Sequence, residues 1–254
     1  NLMSQNHKFT GRAELLQELS ENFRNGSHIQ VLSGMPGVGK TQVALEFAYK
    51  NMYKYSTIWW INAEDETTML ESCNAYLRCK DIPNLNHSAQ SFCDFFNRYD
   101  DYWLLIYDNA ELSSTKRKQV LDSYIPKNRK NGNVLITSRC KNDFYSIPPI
   151  TVNAFTSYEA IGFVRNNLEK DQLKGDKYLA KRLGFLPLAL SYAVAYIKQT
   201  PSCNCSGYLK KLSKTGVKLF EIGDDISLDY YKKTVRAAFM VSVEDVYEKS
   251  KNGD

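Results

Sequence analysis

Short apolar runs alternate with helical stripes of apolar residues over the first three-fifths of the chain. The runs lie at residues 29–33, 57–61, 102–107 and 133–137, with a shorter one at 150–152, and each predicts a β-strand. Apolar residues three or four positions apart predict helices at residues 15–23, 41–49, 67–77 and 92–99. This alternation predicts an α/β fold, in which a parallel sheet is sandwiched by helices.

The pattern changes near residue 153, after which no strand is predicted. Thr156 and Glu159 form a capping box that predicts a helix start, and Gly184 ends a second helix over residues 177–183. Pro187 begins a third helix, which reaches residue 198. We therefore expect an α/β domain over residues 1–153, a small all-helical domain over residues 154–212 and an incomplete third unit over residues 213–254.

A glycine-rich segment, GMPGVGKT at residues 34–41, lies between the first predicted strand and a predicted helix. It matches the phosphate-binding loop (P-loop) pattern G-x-x-x-x-G-K-[ST] at every position, in the order of elements that this loop requires. Glycines let successive backbone N–H groups point inward, and the helix N-terminus adds positive potential where phosphates bind. We expect Lys40 to bind the terminal phosphates and the Thr41 hydroxyl to ligate Mg²⁺.

Two further residues complete the candidate catalytic set with Lys40. Asp108 follows an apolar run and is either the second Mg²⁺ ligand or an ordinary strand-end aspartate. The adjacent Asn109 cannot accept a proton, which predicts weak ATPase activity at most, although Glu111 is a possible substitute base. Arg139 follows the next run and is either a sensor of the terminal phosphate or a surface arginine paired with an acid.

Composition narrows the choice of ligand and location. The chain lacks the N-K-x-D sequence typical of guanine-binding P-loop proteins, so ATP or ADP is the expected nucleotide. The net charge of +5 is modest and the basic cluster at residues 127–132 is interpreted as a solvated loop, so we expect no direct nucleic-acid binding. No apolar stretch approaches the roughly 20 residues of a membrane span. The six cysteines form no C-x-x-C pair, which disfavours zinc and indicates a reducing, cytoplasmic location.

Five segments, taken in order, resemble those of the NB-ARC class of STAND NTPases. They are FTGR at 9–12, the loop at 34–41, LLIYDNA at 104–110, LITSR at 135–139 and GFLPLAL at 184–190. The last departs from the G-L-P-L-A motif of the family, because Phe185 is inserted before the Leu-Pro pair. The segments WINA at 60–63 and DNA at 108–110 look most similar to NB-ARC proteins that carry tetratricopeptide repeats.

The resemblance implies a molecular switch that holds ADP when closed and takes ATP as it opens and self-oligomerises. It places such proteins in innate-immune, cell-death or related signalling, with N-terminal effector and C-terminal sensor domains as partners. The nucleotide-binding residues that it implies are Phe9, Thr10, Gly11 and Arg12 at the adenine, Met35, Pro36, Gly37, Val38, Gly39, Lys40, Thr41 and Gln42 in the loop region, Arg139 at the γ-phosphate, and Pro187 from the helical domain.

The same resemblance makes residues 213–254 the beginning of a winged-helix domain. In the family, that domain carries a histidine that contacts the β-phosphate of ADP. Here His7, His28 and His87 all lie upstream of residue 213. Because the chain also begins at Asn1 rather than Met, we expect it to be a piece of a longer protein.

Other functions remain open at this point. An active P-loop ATPase, either a motor of the AAA+ kind or a small-molecule kinase, would use the same loop. A motor would require a catalytic acid beside Asp108, and a kinase would require lid arginines and an acceptor site, none of which is evident. A scaffold that has lost nucleotide binding is disfavoured, because Lys40, Thr41 and Asp108 are all present.

Overall fold

The computed structural model describes residues 1–80, 88–110, 114–140, 148–220, 234–241 and 243. The chain divides into two units. The first contains Asn1–His7 and Arg12–Asn153, and the second contains Lys8–Gly11 and Ala154–Asp254. Residues 8–11 thus fall in the second unit, whereas the sequence placed them in the α/β domain.

The first unit is built on a five-stranded parallel sheet in the order β2-β3-β4-β1-β5. The strands are β1 (Ile29–Ser33), β2 (Thr57–Asn62), β3 (Trp103–Ala110), β4 (Gly132–Ser138) and β5 (Ile150–Thr151). The helices are α1 (Ala13–Arg24), α2 (Lys40–Lys50), α3 (Glu66–Cys79), α4 (Ala89–Asn97) and α5 (Thr115–Ser123), with a 3₁₀ turn at Met52–Lys54. The predicted α/β fold class is confirmed.

Strand burial explains why the apolar runs predicted this sheet. Leu104, Leu105, Ile106 and Tyr107 of β3 are all fully buried, as expected for a central parallel strand with helices on both faces. β3 continues to Ala110, so Asp108 lies within the strand rather than after it. The sequence did not predict α5, because its nine residues carry no apolar stripe and only Leu121 is buried.

An aromatic cluster fills the space between the sheet and helices α3 and α4. The Tyr76 ring lies 5.0 Å from that of Trp59, 5.8 Å from Phe92 and 4.9 Å from Phe96, measured between centroids. Phe92 and Phe96 are almost fully buried. The aromatic stripe of α4 is therefore part of the core and is not a platform for stacking nucleic-acid bases.

The regular secondary structure of the second unit is helical throughout its described residues. Its helices are α6 (Ser157–Asn167), α7 (Asp176–Arg182), α8 (Pro187–Gln199) and α9 (Cys205–Phe220), with a 3₁₀ turn at Lys170–Leu173 and a helical stretch at residues 234–241. The predicted capping box forms, because Thr156 Oγ1 accepts from Glu159 N at 3.2 Å and Glu159 Oε2 accepts from Thr156 N at 2.8 Å. The Glu159 side chain also packs on Gly11, where an added Cβ would lie 2.3 Å from Oε1. That packing explains why residues 8–11 belong to this unit.

The boundary predicted at residue 212 falls inside α9, which continues to Phe220. Residues 221–233 and 244–254, which hold most of the predicted winged-helix segment, lie outside the described residues, so that domain stays a prediction. Among the helices that the structure describes, none combines the length and the apolar character needed to cross a bilayer.

Candidate nucleotide-binding site

The loop at residues 34–39 leaves the carboxyl end of β1, and each of three glycines in it has a physical reason. A Cβ on Gly34 would lie 2.3 Å from the carbonyl oxygen of Val152, because the residues that follow β5 run close beside β1. Val152 N donates to Ser33 O at 2.6 Å and fixes that approach. Gly37 and Gly39 have φ angles of +78° and +98°, in the left-handed region that favours glycine.

Lys40 starts α2 and turns its side chain back over the loop. Its Nζ donates to Gly34 O at 2.8 Å and to Met35 O at 3.0 Å. Burial and, after it, the nearby Arg139 guanidinium lower the pKa of Lys40, whereas Asp108 acts in the opposite direction. An ammonium group has three N–H donors, so Lys40 can brace the loop and bind a phosphate oxygen at the same time.

Two hydroxyl side chains meet at the carboxylate of Asp108. Thr41 Oγ1 donates to Oδ1 at 2.9 Å and lies 3.2 Å from Oδ2. Thr137 Oγ1 donates to Oδ1 at 2.5 Å and accepts a hydrogen bond from Asn109 N at 2.9 Å. The strand order explains the meeting: β4, which carries Thr137, lies between β1 and β3.

A backbone irregularity sets the position of Asp108 in β3. Tyr107 pairs with Ile136 but Ala110 pairs with Ser138, so β3 carries one extra residue against β4. Asn109 takes up the difference with a φ of +63°, a left-handed conformation that asparagine adopts more readily than most residues. On the other side, Ala63 N donates to Asp108 O at 2.8 Å. The bulge therefore leaves Asp108 firmly held at the end of the sheet where the loop begins.

The donor set at this point fits Mg²⁺. A threonine hydroxyl and an aspartate carboxylate are hard oxygen ligands, and Mg²⁺ is usually held by one or two carboxylates together with substrate phosphates. Among the described residues, no group of three or more His, Cys, Asp or Glu side chains could form a metal site made of protein alone. Thr41 and Asp108 thus suit a metal ion that arrives with a nucleotide.

Arg139 immediately follows β4 and is exposed, close enough to Lys40 to affect its pKa. Arg12 lies at the start of α1 with a φ of +64°, and its Nη2 donates to Val38 O at 3.2 Å and Asn153 O at 2.7 Å. It therefore ties the loop to the end of the first unit.

The remaining predicted site residues fall into two sets. Gln42 of α2 accepts a hydrogen bond from Asn6 Nδ2 at 3.0 Å, and Val38 is 1% exposed, which leaves only its backbone for a ligand. Met35 is half-buried and Pro36 is exposed in the loop. Phe9, Thr10 and Gly11 belong to the second unit, as does Pro187, the first residue of α8. Their contacts with a nucleotide stay predictions.

Thr137 holds the Asp108 carboxylate in place, and the sequence alone did not predict this role. It was noted only as part of the segment before Arg139, since a threonine in an apolar strand is ordinary. The signal that points to it is the polar pair Thr137 and Ser138 at the end of an otherwise apolar strand, both almost fully buried. Buried hydroxyls require partners, and here the partner of Thr137 is the carboxylate of Asp108.

Comparison with known proteins finds a relative that is named for nucleotide binding. No family model matches the chain. A nucleotide-binding leucine-rich repeat (NLR)-like protein of the fungus Hyaloscypha variabilis is 27% identical over 260 residues, which covers 89% of this chain and 26% of that protein. The chain carries a P-loop and is similar to proteins of the NB-ARC/STAND-like class. It spans about a quarter of the length of this relative, and the predicted resemblance is confirmed at the level of the class.

Solved structures agree on the fold of this chain. A Walker-type ATPase of Pyrococcus abyssi has a TM-score of 0.58 at 12% identity, over 87% of this chain and 76% of that one. A STAND protein with a tetratricopeptide repeat sensor from Pyrococcus horikoshii has a TM-score of 0.51 at 18% identity, over 91% of this chain and 40% of that one. At these identities the likeness shows the P-loop fold.

Proposed function

We propose that this chain is the nucleotide-operated part of an ATP/ADP-dependent molecular switch of the NB-ARC/STAND type. Nucleotide exchange would control domain opening and self-oligomerisation in innate-immune, cell-death or related signalling in the cytoplasm. The observation that carries the proposal is the network joining Thr41, Asp108 and Thr137 beside the P-loop lysine. Hydroxyl and carboxylate oxygens are ligands that suit Mg²⁺, and a P-loop lysine with loop amides suits the phosphates of a nucleotide, which supports the proposal.

Slow hydrolysis follows from the residue beside the metal-binding carboxylate. Asn109 is neutral and cannot take a proton from water, and its backbone N–H is already used by Thr137. Glu111, the possible substitute base, lies outside the described residues. A P-loop protein that binds its nucleotide well and hydrolyses it slowly keeps each nucleotide state long enough to act as a switch.

Discrimination between the two nucleotides is assigned to Arg139. Arg139 is an exposed cation at the carboxyl end of β4, near Lys40. The two positive charges repel each other unless an anion lies between them. The γ-phosphate of ATP supplies additional negative charge there and ADP does not. ATP is thus expected to make a contact with Arg139 that ADP cannot make. Such a contact would give the difference in affinity between two states that a switch requires.

The remainder of the longer protein would supply the other parts of the switch. The chain covers about a quarter of its NLR-like relative, so effector and sensor segments on either side are part of the proposal. A tetratricopeptide repeat sensor, such as the one named for the Pyrococcus horikoshii structure, is one candidate for the C-terminal part.

The proposal is tested by identifying the nucleotide that the purified protein carries and by measuring what exchange does. Mass spectrometry of the released ligand should show ADP or ATP, and light scattering should show a larger species with Mg²⁺-ATP than with Mg²⁺-ADP. Steady-state turnover should stay far below the rate of about 1 per second typical of working enzymes. Faster turnover, or turnover stimulated by nucleic acid, would instead favour the active-ATPase alternative. The Lys40→Ala variant, purified and analysed in the same way, should carry no bound nucleotide.

A further inference from the structure

A second cavity lies in the first unit, at the edge of the sheet opposite the P-loop. Its volume is about 330 Å³, within the range of roughly 300–1,000 Å³ typical of small-molecule sites. Tyr102 and Asn133 line it at the amino ends of β3 and β4, whereas the P-loop leaves the carboxyl end of β1. In a parallel sheet these two edges face away from each other. The cavity is thus separate from the nucleotide site.

Aromatic rings make up much of the wall of the cavity. Phe23 of α1 and Phe47 of α2 lie with their ring centroids 5.6 Å apart, and Tyr55 and Tyr102 add two more rings. Tyr102 is 63% exposed, so the surface of its ring is open to a ligand. Such a wall favours a flat, apolar group.

The wall carries several hydrogen-bond donors, two of which are cationic side chains. The Arg24 guanidinium makes no hydrogen bond or ion pair with any residue that the structure describes, and Lys54 Nζ donates to Asn51 Oδ1 at 2.7 Å. Asn133 Nδ2 donates to the Tyr55 hydroxyl at 2.8 Å, so that this hydroxyl keeps its own proton for another acceptor. Burial raises the pKa of Tyr55, which keeps the donor protonated. Within the described part of the chain, no aspartate or glutamate lines the cavity.

We propose that this cavity binds a small aromatic carboxylate, with its ring against the aromatic wall and its carboxylate on Arg24 and Tyr55. Arg24 and Lys54 are two cations with no carboxylate beside them in the lining, which favours an anion. The parallel N–H groups of Arg24 match the two oxygens of a carboxylate. The four rings favour a planar apolar body over a phosphate. The site rests on none of the residues assigned to nucleotide binding, so the two proposals stand or fall separately.

The test uses 2-naphthoate as the probe and its neutral analogue 2-naphthamide as the matched ligand. Titrations followed by backbone amide NMR should show saturable binding of the acid with a Kd of about 1 mM or tighter, and binding at least about tenfold weaker for the amide. The shifted resonances should be those of Phe23, Phe47 and Asn133. Equal affinity for acid and amide, or no saturation by the acid, would overturn the proposal.

Variants decide which groups hold the probe. Arg24→Gln should weaken naphthoate binding about tenfold, and Tyr55→Phe, which keeps the ring, should weaken it a few-fold. Arg78→Gln is the matched control, because Arg78 is exposed on α3 and does not line the cavity. Thermal unfolding of each variant checks the fold, and if Arg24→Gln does not fold, Tyr55→Phe and the shift pattern decide.

The P-loop is the other place where an anion could bind, so it is excluded directly. Naphthoate affinity should be unchanged in Lys40→Ala and in the presence of saturating Mg²⁺-ADP. Loss of naphthoate binding in Lys40→Ala, or displacement of naphthoate by ADP, would place the probe on the P-loop and contradict the cavity proposal. Failure of ADP to bind at all would contradict the switch and leave the naphthoate result standing.

Discussion

The hydroxyl of Thr137 donates to the carboxylate of Asp108 at 2.5 Å, from the neighbouring strand. The same hydroxyl oxygen accepts from Asn109 N, so one side chain fixes both the carboxylate and the bulge that presents it. With one oxygen held by Thr137, the carboxylate cannot rotate freely away from Thr41. Thr137 is therefore a positioning residue for the candidate Mg²⁺ site rather than a ligand.

Replacing Thr137 should weaken Mg²⁺-dependent nucleotide binding. Thr137→Val keeps the shape but removes the hydroxyl, and a lost hydrogen bond to a charged group costs about 1.5–3 kcal/mol, or roughly tenfold to a hundredfold in affinity. Calorimetric titration with ADP in Mg²⁺ and then in EDTA measures this. The defect should be large with Mg²⁺ and small without it.

Two controls accompany this variant. Thr137→Ser restores the hydroxyl and should recover most of the Mg²⁺ dependence, whereas Thr151→Val removes an exposed threonine of β5 and should change nothing. An equal loss of affinity with and without Mg²⁺ would show that Thr137 acts on the loop or on the fold and not on the metal site.

Lys40→Ala should abolish tight nucleotide binding while the protein stays folded. The loop loses the brace to Gly34 O and Met35 O, and the terminal phosphates lose their cation. Lys130→Ala is the matched control, because Lys130 is an exposed lysine just before β4 at the other edge of the sheet. Unchanged ADP and ATP affinities of Lys40→Ala in calorimetry, with normal circular dichroism, would remove the role given to this residue.

Arg139→Ala should reduce affinity for ATP more than affinity for ADP. Only ATP carries the γ-phosphate that the guanidinium is proposed to bind, so the ratio of the two Kd values should shift by about tenfold toward ADP. Arg98→Ala, at an exposed arginine that follows α4, should leave the ratio as it is. Competition titrations against a fluorescent ADP give both constants, and an equal loss for the two nucleotides would contradict the sensing role.

Gly34→Ala should destabilise the first unit, because the added Cβ would meet Val152 O at 2.3 Å and a backbone atom cannot easily give way. Overpacking of this kind costs about 1–3 kcal/mol. Gly162→Ala, in the interior of α6, meets only Thr10 Cγ2 at 3.8 Å and should instead stabilise the protein by up to about 1 kcal/mol. Urea unfolding of both variants compares them, and a neutral Gly34→Ala would show that the approach of Val152 is not a constraint.

Local signals explain why much of the sheet was predictable. Apolar runs and helical stripes act over a few residues, and the five strands appear where those runs predicted them. Helix α5 was missed because it is a surface helix whose residues carry no stripe. The grouping of residues 8–11 with the second unit was also missed, because it depends on the packing of Glu159 on Gly11, far along the chain.

The candidate site divides in the same way between local sequence and distant contact. The loop, its lysine and the aspartate could each be found from a short pattern, and their roles in nucleotide binding remain predictions. The partner of Asp108 could not, because Thr137 lies 29 residues away and reaches it only through the order of the strands. The cavity beside Arg24 and Tyr55 had no sequence signal, since its lining comes from α1, α2, a 3₁₀ turn and two strand ends.

The amino-acid sequence by itself determined most of the elements, their alternation and the glycine loop, since period, apolar content and backbone freedom are properties of neighbouring residues. Only the tertiary structure decided which strand lies between β1 and β3, and therefore which hydroxyl holds the Asp108 carboxylate and which rings enclose the second cavity. The physical reason is that buried polar groups and cavities are satisfied by residues that meet in space, and strand order sets those meetings independently of distance along the chain.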